Sequence, residues 1–275
     1  MSTKLLKRFL SAINQGTAPQ WLQKFVWRSW YNLMAWRWKD DQWTFMNYGW
    51  LPSAKQSVFP LDSKDEPDRA FIGLYHHLAQ CVELSGKCVV EVGSGRGGGA
   101  SYIARYHHPR SMVGMDFSSR AIELSKRLHR DIPGLSFLQG DAEQMPFDSD
   151  SFDVVLNVES SHCYGNMAAF VSEVVRVLKP DGYLAWVDIR GKEMLATTEK
   201  AFQHPQLTLV HSELINEGVV RALDAASERK QQAIDRISVG QGVIKQFAAM
   251  PGTPLYKGLS NGSVQYLCRV YQRNT

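Results

Sequence analysis

A chain of 275 residues, 44% hydrophobic and 21% charged, suits one large domain with accessory segments or at most two domains, and can bury its core without disulfides or metal. Its net charge of +4, from 31 basic and 27 acidic residues, is too balanced for a nucleic-acid partner, which calls for a concentrated basic stripe. Cys81, Cys88, Cys163 and Cys268 are scattered with no CxxC pair, which argues against a disulfide framework or a metal site and for a reducing, cytoplasmic setting. The apolar runs are too short for a signal peptide or a membrane span.

Composition divides the chain into residues 1–60, 61–190 and 191–275. The first region holds seven of the eight tryptophans. Within it, Leu22, Phe25, Val26, Trp30, Leu33 and Met34 follow helical spacing, with basic residues interspersed. Such a helix buries one face and offers the other to something greasy: a lid over a hydrophobic substrate, or a peripheral contact with a membrane surface. Ordinary packing over a sheet edge accounts for the same pattern.

The middle region reads as successive strand–helix units. Cys88 to Val92 is a short buried strand, followed by a glycine loop and a helix from about Ser101 to Tyr106. Met112 to Asp116 is a second strand, and Ser118 suits the N-cap of a helix running to about His129. Leu135 to Gln139 and Phe152 to Asn157 are the third and fourth strands. Met167 to Leu178 has helical spacing and stops at Lys179-Pro180-Asp181-Gly182; Tyr183 to Asp188 is the fifth strand. Short links between alternating elements imply a parallel, doubly wound sheet. In the last region Leu207 to Val210 and Val264 to Tyr271 are sixth and seventh strand candidates. Ser212 to Ala249 between them reads as mostly helix.

The loop EVGSGRGGGAS, Glu91 to Ser101, carries the first chemistry. Its glycines let the backbone turn sharply and approach a ligand, and the following helix offers unpaired N–H groups to an anion. The pattern GxGxxG (Gly93, Gly95, Gly98) is shared by NAD-binding loops and does not discriminate alone. Asp116, ending the second strand, is placed to accept ribose hydroxyls, and Gly140-Asp141-Ala142 puts a further carboxylate after the third strand. No tyrosine has a lysine four residues on, so the Tyr–Lys pair of one large dehydrogenase group is missing.

These segments, with FDVVLN and LKPDGYLAWVD, resemble the core of class I S-adenosylmethionine (SAM)-dependent methyltransferases. More closely, DEPDRAFIGLYHHLA, GRGGGASYIARYHHP, LNVESSHCY and EVVRVLKPDGYL are similar to the phthiotriol/phenolphthiotriol dimycocerosates methyltransferases, over roughly residues 25–190. Those enzymes O-methylate a hydroxyl of a hydrophobic, polyketide-derived lipid. NYGWLP, Asn47 to Pro52, looks instead like the tocopherol and sterol methyltransferases. The resemblance implies a Rossmann-like α/β fold. Its mostly parallel seven-stranded sheet has an antiparallel last strand, a helical lid at residues 1–60, a SAM-binding core at 61–190 and a helical substrate cap at 191–275. It also implies SAM as cofactor and no metal. The cofactor set is Glu91, Gly93, Ser94, Gly95 and Gly97 of the loop, Asp116 and Phe117, Asp141 and Ala142, Asn157, and Tyr48 near the sulfonium or the carboxylate.

The fourth strand runs into Glu159-Ser160-Ser161-His162-Cys163-Tyr164, at the strand ends that face the ligand crevice in this fold. His162 is the best general base for an alcohol, and Asp188, ending the adjacent fifth strand, is placed to orient it. A structural loop histidine and a turn-capping aspartate are the other reading. Glu159, Tyr164 and Trp30 are substrate candidates, whereas Cys163 reads as a small packing residue. An O-methyltransferase follows. A C-methyltransferase of the sterol or tocopherol type, resting on NYGW and Glu159, and a SAM-binding protein without turnover are its rivals.

Overall fold

A computed structural model describes residues 44–53, 59–235 and 241–275. The expected aromatic lid, with Trp30 and its membrane-surface reading, falls outside the described residues.

A seven-stranded sheet forms the centre, in the order β3-β2-β1-β4-β5-β7-β6. Its strands are β1 (Cys88–Val92), β2 (Ser111–Asp116), β3 (Leu135–Gln139), β4 (Phe152–Val158), β5 (Leu178–Gly191), β6 (Leu207–Leu214) and β7 (Val264–Arg273). Strands β1 to β5 pair in parallel, and β7 lies antiparallel between β5 and β6. The chain reverses strand order after β3 by crossing to β4 on the other side of β1. Ligands of open α/β sheets bind at such a switch point, beyond the carboxyl ends of the strands.

The central strands are apolar on both faces, as strands covered by helices on both sides must be. Val89, Val154 and Leu156 face one core with Ile72, Leu74 and Leu78 of α1 (Arg69–Ala79) and Ile103 of α2 (Gly98–Tyr106). Their neighbours Val90, Val155 and Trp186 face the other core with Phe170, Val171 and Val174 of α4 (Met167–Val177) and Phe202 of α5 (Lys192–Phe202). The two-residue alternation of each strand therefore feeds two separate cores. Helix α3 (Ser119–Leu128) starts where expected: Ser118 Oγ accepts from the Ala121 N–H at 3.2 Å.

Two expectations need correction. The Lys179–Gly182 stretch does not separate α4 from its strand, because β5 begins at Leu178, and the chain passes Pro180 and the left-handed Asp181 (φ 63°) as an irregularity in the ladder. Strand β6 continues through His211–Leu214, and helix resumes only with α6 (Asn216–Ala225). It is followed by α7 (Ser227–Asp235), α8 (Gln241–Phe247) and α9 (Pro254–Asn261).

Asn216 holds the entry to β7. Its Nδ2 donates to the carbonyls of Leu259 at 2.8 Å and Val264 at 2.7 Å, and its Oδ1 accepts from the Tyr266 N–H at 2.7 Å. Asn216→Ala leaves these buried groups unpaired and should cost about 1–3 kcal/mol in denaturant unfolding. A change within error would show that water replaces the amide.

Candidate active site

A cavity with an empty volume of about 1250 Å³, its mouth included, opens at the switch point beyond β1, β2 and β4. The glycine loop forms one wall. Its shape follows from hydrogen bonds to β2: the N–H groups of Gly93 and Ser94 donate to the Met115 carbonyl at 2.8 and 2.9 Å. Gly93 has φ 82°, and a Cβ there would lie 2.4 Å from Ser160 Oγ, so only glycine fits beneath the loop after β4. The loop then enters α2, whose first-turn N–H groups have no intrahelical partner.

Asp116 stands opposite. Its Oδ2 accepts from the Gly95 N–H and its Oδ1 from the Ser118 N–H, both at 2.8 Å. The carboxylate thus ties the glycine loop to the start of α3 while lining the cavity. Burial raises its pKa against these two bonds. Gly93, Ser94, Gly95, Phe117, Asp141 and Ala142 also line the cavity. Asp141 Oδ1 accepts from the Glu143 N–H at 2.9 Å, which fixes its turn. Ser94 Oγ is buried with no hydrogen-bond partner among the described residues. An unsatisfied hydroxyl on the wall, a glycine loop leading into a helix start and two carboxylates together fit a SAM-sized, zwitterionic ligand.

Four residues expected at the cofactor stand behind the wall instead. Glu91 is buried under the loop and accepts from Tyr75 Oη at 2.6 Å; burial pushes it up to about 7 despite that bond. Gly97 is the left-handed N-cap of α2. Asn157 directs Nδ2 to the Val92 carbonyl at 2.9 Å, Ser160 Oγ at 2.8 Å and Tyr164 Oη at 3.0 Å, and so joins β1 to the loop after β4. Tyr48 spends its hydroxyl on the Phe247 carbonyl at 2.9 Å, and the cation over its ring is Lys230, 5.9 Å away.

The loop after β4 forms the far wall, where Glu159, Ser160, Cys163 and Tyr164 face the cavity. Glu159 has a left-handed backbone (φ 48°), a conformation that needs surrounding support in a non-glycine residue. Its N–H donates to Val187 at 2.8 Å, and its Oε2 accepts from the Tyr48 N–H at 2.8 Å and from Tyr266 Oη. Burial raises Glu159 to about 7, although the bonds from Tyr266 and Tyr48 pull the other way.

The structure brings His162 and Asp188 together. His162 Nδ1 lies 2.8 Å from Asp188 Oδ1, and the His162 N–H donates to Asp188 Oδ2 at 2.9 Å. Asp188 is 0% exposed. It also accepts from Ser161 Oγ at 2.6 Å and the Ile189 N–H at 2.8 Å, and pairs with Arg190 at 3.0 Å. Burial alone would raise its pKa, but Arg190 and His162 hold it well below the usual carboxylate range. Burial likewise disfavours a charged His162, yet Cys163 and Asp188 outweigh it and hold the histidine well above its ordinary pKa. The pair stands just behind the wall, next to Cys163, which itself reaches the cavity surface.

Several residues at or beside the cavity were not singled out for it in the sequence. Thr44 to Asn47 line the cavity because Trp50 N–H bonds to Ala70 at 2.8 Å and Leu51 N–H to Gly218 at 3.0 Å, which straps this segment over α1 and α6. Arg190 is buried between Thr198 Oγ1 (2.7 Å), Ser161 Oγ (2.7 Å) and the Trp186 ring, as the counter-charge of Asp188.

A family model described as a methyltransferase domain matches residues 90–186. The chain is 40% identical to a phthiotriol/phenolphthiotriol dimycocerosates methyltransferase of Mycobacterium leprae, over 89% of this chain and 91% of that one. The likeness thus extends well beyond residues 25–190. It is also 40% identical to a fatty-acid O-methyltransferase of Mycolicibacterium smegmatis, over 80% of this chain and 78% of that one. Among solved structures, a geranyl diphosphate C-methyltransferase of Streptomyces coelicolor A3(2), crystallised with S-adenosyl-L-homocysteine, superposes with a TM-score of 0.66 over 93% of this chain and 99% of that one; at 15% identity it shares the fold alone. With a glycine-loop cavity at the switch point and relatives matched over nearly their whole length, the chain belongs to the phthiotriol/phenolphthiotriol dimycocerosates methyltransferase family of class I SAM-dependent methyltransferases.

Proposed function

We propose that the protein transfers the SAM methyl group to a hydroxyl of a hydrophobic, polyketide- or lipid-derived small molecule. The observation that carries this reading is the His162–Asp188 pair at the carboxyl ends of β4 and β5. A carboxylate acceptor needs no base, whereas an alcohol must lose its proton as the new bond forms. The names of the mycobacterial relatives, which refer to dimycocerosates and fatty acids, support a lipid-type acceptor. A cytoplasmic setting belongs to the same reading and is supported by four free cysteines.

When bound, SAM supplies an electrophilic sulfonium methyl. The residues of the chain do the rest. Asp116 would hold the ribose hydroxyls, the glycine loop and Ser94 the methionyl end, and Phe117 and Asp141 the adenine. Glu159 and Tyr164 would position the acceptor on the far wall. Asp188 holds the ring through Nδ1, so Nε2 would be the atom that takes the hydroxyl proton from an acceptor that reaches past Cys163. Alignment of acceptor and methyl then supplies much of the acceleration. A second reading, C-methylation, rests on Glu159: a buried carboxylate flanked by Tyr48 and Tyr266 suits a developing cation as well as an alcohol.

Mass spectrometry of products from labelled SAM and a long-chain secondary alcohol, a fatty acid or an isoprenoid alkene decides among the acceptors. A methyl ether supports the proposal; a methyl ester or a new carbon–carbon bond alone overturns the hydroxyl target.

SAM and S-adenosylhomocysteine should raise the melting temperature and NAD should not, since only a ligand of the native state stabilises it. Asp116→Ala should weaken SAM binding by about 1.5–3 kcal/mol, measured by calorimetry. Unchanged affinity would remove Asp116 from the ribose.

His162→Ala should lower kcat by roughly 10²–10⁴-fold and leave SAM affinity nearly intact, because the base acts only as the transition state forms. His162 must be neutral to accept a proton, and its pKa is raised. The rate should therefore climb with pH through a midpoint above the ordinary value of about 6.5. Loss of that limb in His162→Ala is the expected profile. A limb that survives the substitution assigns the titration elsewhere, with Glu159 the next candidate.

A further inference from the structure

At the other end of the sheet order from the cavity, β6, β7 and the end of α1 bring together three residues that sequence spacing gave no reason to join. The donor atoms of Cys81, His211 and Cys268 lie within 4.8 Å of one another. We propose that Cys81, His211 and Cys268 form a structural zinc site that fastens the outer strand β6 to β7 and α1.

The backbone is arranged for it. Glu213 opposes Cys268 and His211 opposes Val270 across the β6–β7 ladder, so all four side chains share one face. That face is the one covered by α1, because Cys268 and Val270 belong to the core that contains Leu74 and Leu78. The register is irregular between Leu209, which opposes Tyr271, and His211. Val210 is the extra residue, and it points outward, 51% exposed. Were Val210 paired in regular register with Val270, His211 would oppose Arg269 and lie on the far face of the sheet. The bulge thus turns His211 toward the two sulfurs.

Of the three donors, Cys81 already has a partner, its Sγ donating to the His77 carbonyl at 3.5 Å. His211 Nε2 is buried and has no hydrogen-bond partner among the described residues. Glu213 Oε2 is 3.8 Å from it, beyond hydrogen-bond reach. Glu213 offers a carboxylate for a fourth position, and His77 Nε2 holds it at 2.8 Å, as outer partners orient ligands around a metal. Two thiolates and an imidazole, closed by the Glu213 carboxylate after a small side-chain shift, would make the four-donor tetrahedral set of a structural zinc. Access is available, since Cys81 lines a surface pocket formed by residues 79–85 and 106–108. The site contains no residue of the SAM cavity, so it is structural.

The test uses the full chain, purified under reducing conditions, stripped with a chelator and titrated with zinc chloride. We expect one zinc per chain by elemental mass spectrometry and a higher melting temperature. Cobalt(II) should give the intense visible absorption of a tetrahedral thiolate site. His211→Ala and Cys81→Ser should each weaken zinc binding roughly tenfold or more, since even outer partners of a metal site contribute that much. SAM binding at the remote cavity reports that each variant is folded. Wild-type protein that retains no zinc overturns the proposal, as does zinc binding unchanged in both variants. A Cys81–Cys268 disulfide that resists the reductant during purification, or uptake of copper(I) but not zinc, overturns it equally.

Discussion

A carboxylate with no access to water stands near the end of β5, and the loop after β4 is arranged around it. Taking an ion out of water costs several kcal/mol unless it is paired and hydrogen-bonded. Asp188 meets that cost with two backbone N–H groups, the Ser161 hydroxyl, Arg190 and His162. Each partner in turn needs support. Ser161 Oγ also takes a bond from Trp186 Nε1 at 2.8 Å, and Arg190 lies over the Trp186 ring and bonds to Thr198 of α5. The loop after β4 therefore has one way to lie down. It carries Glu159 and Tyr164 to the cavity as a by-product of neutralising Asp188.

The opposite wall obeys a different constraint. There the backbone itself must come close to a ligand, so side chains are removed or tied back. Gly93 packs on Ser160, Gly95 is held by Asp116, and Asn157 bridges the ends of β1 and β4. The two walls share Asn157 and Ser160. A disturbance of either wall is felt at the other.

Much of this was legible in the residue order. The buried strands announce themselves as short β-branched runs, and the glycine loop, Ser118 cap and Asp116 follow from local chemistry. The His162–Asp188 pair was readable because the expected strand order makes β4 and β5 neighbours. What escaped depends on contacts distant in sequence. Thr44 to Asn47 are held at the cavity by bonds of this segment to Ala70, Gly218, Phe71 and Glu159. Glu91, Asn157 and Tyr48 lie close to the cofactor loop in the fold, yet their polar atoms are drawn backward to Tyr75, Val92 and Phe247. The polar run His211-Ser212-Glu213 disguised the second half of β6, since an outer strand need not be apolar. Proline and glycine in Lys179–Gly182 suggested a stop where the chain makes only an irregular entry into β5.

The position of β7 has a consequence for how the protein is made. Of the described strands it is the latest in sequence, yet it lies inside the sheet, between β5 and β6. During synthesis β6 emerges with no neighbour to pair with, and β5 is left with one bare side. Both wait for β7 to slot between them, and Tyr266 arrives with it to orient Glu159. A ribosome-bound chain that stops short of β7 thus exposes two strand edges, a template for wrong pairing. It also lacks a finished cavity, so the activity and the last step of folding are acquired together.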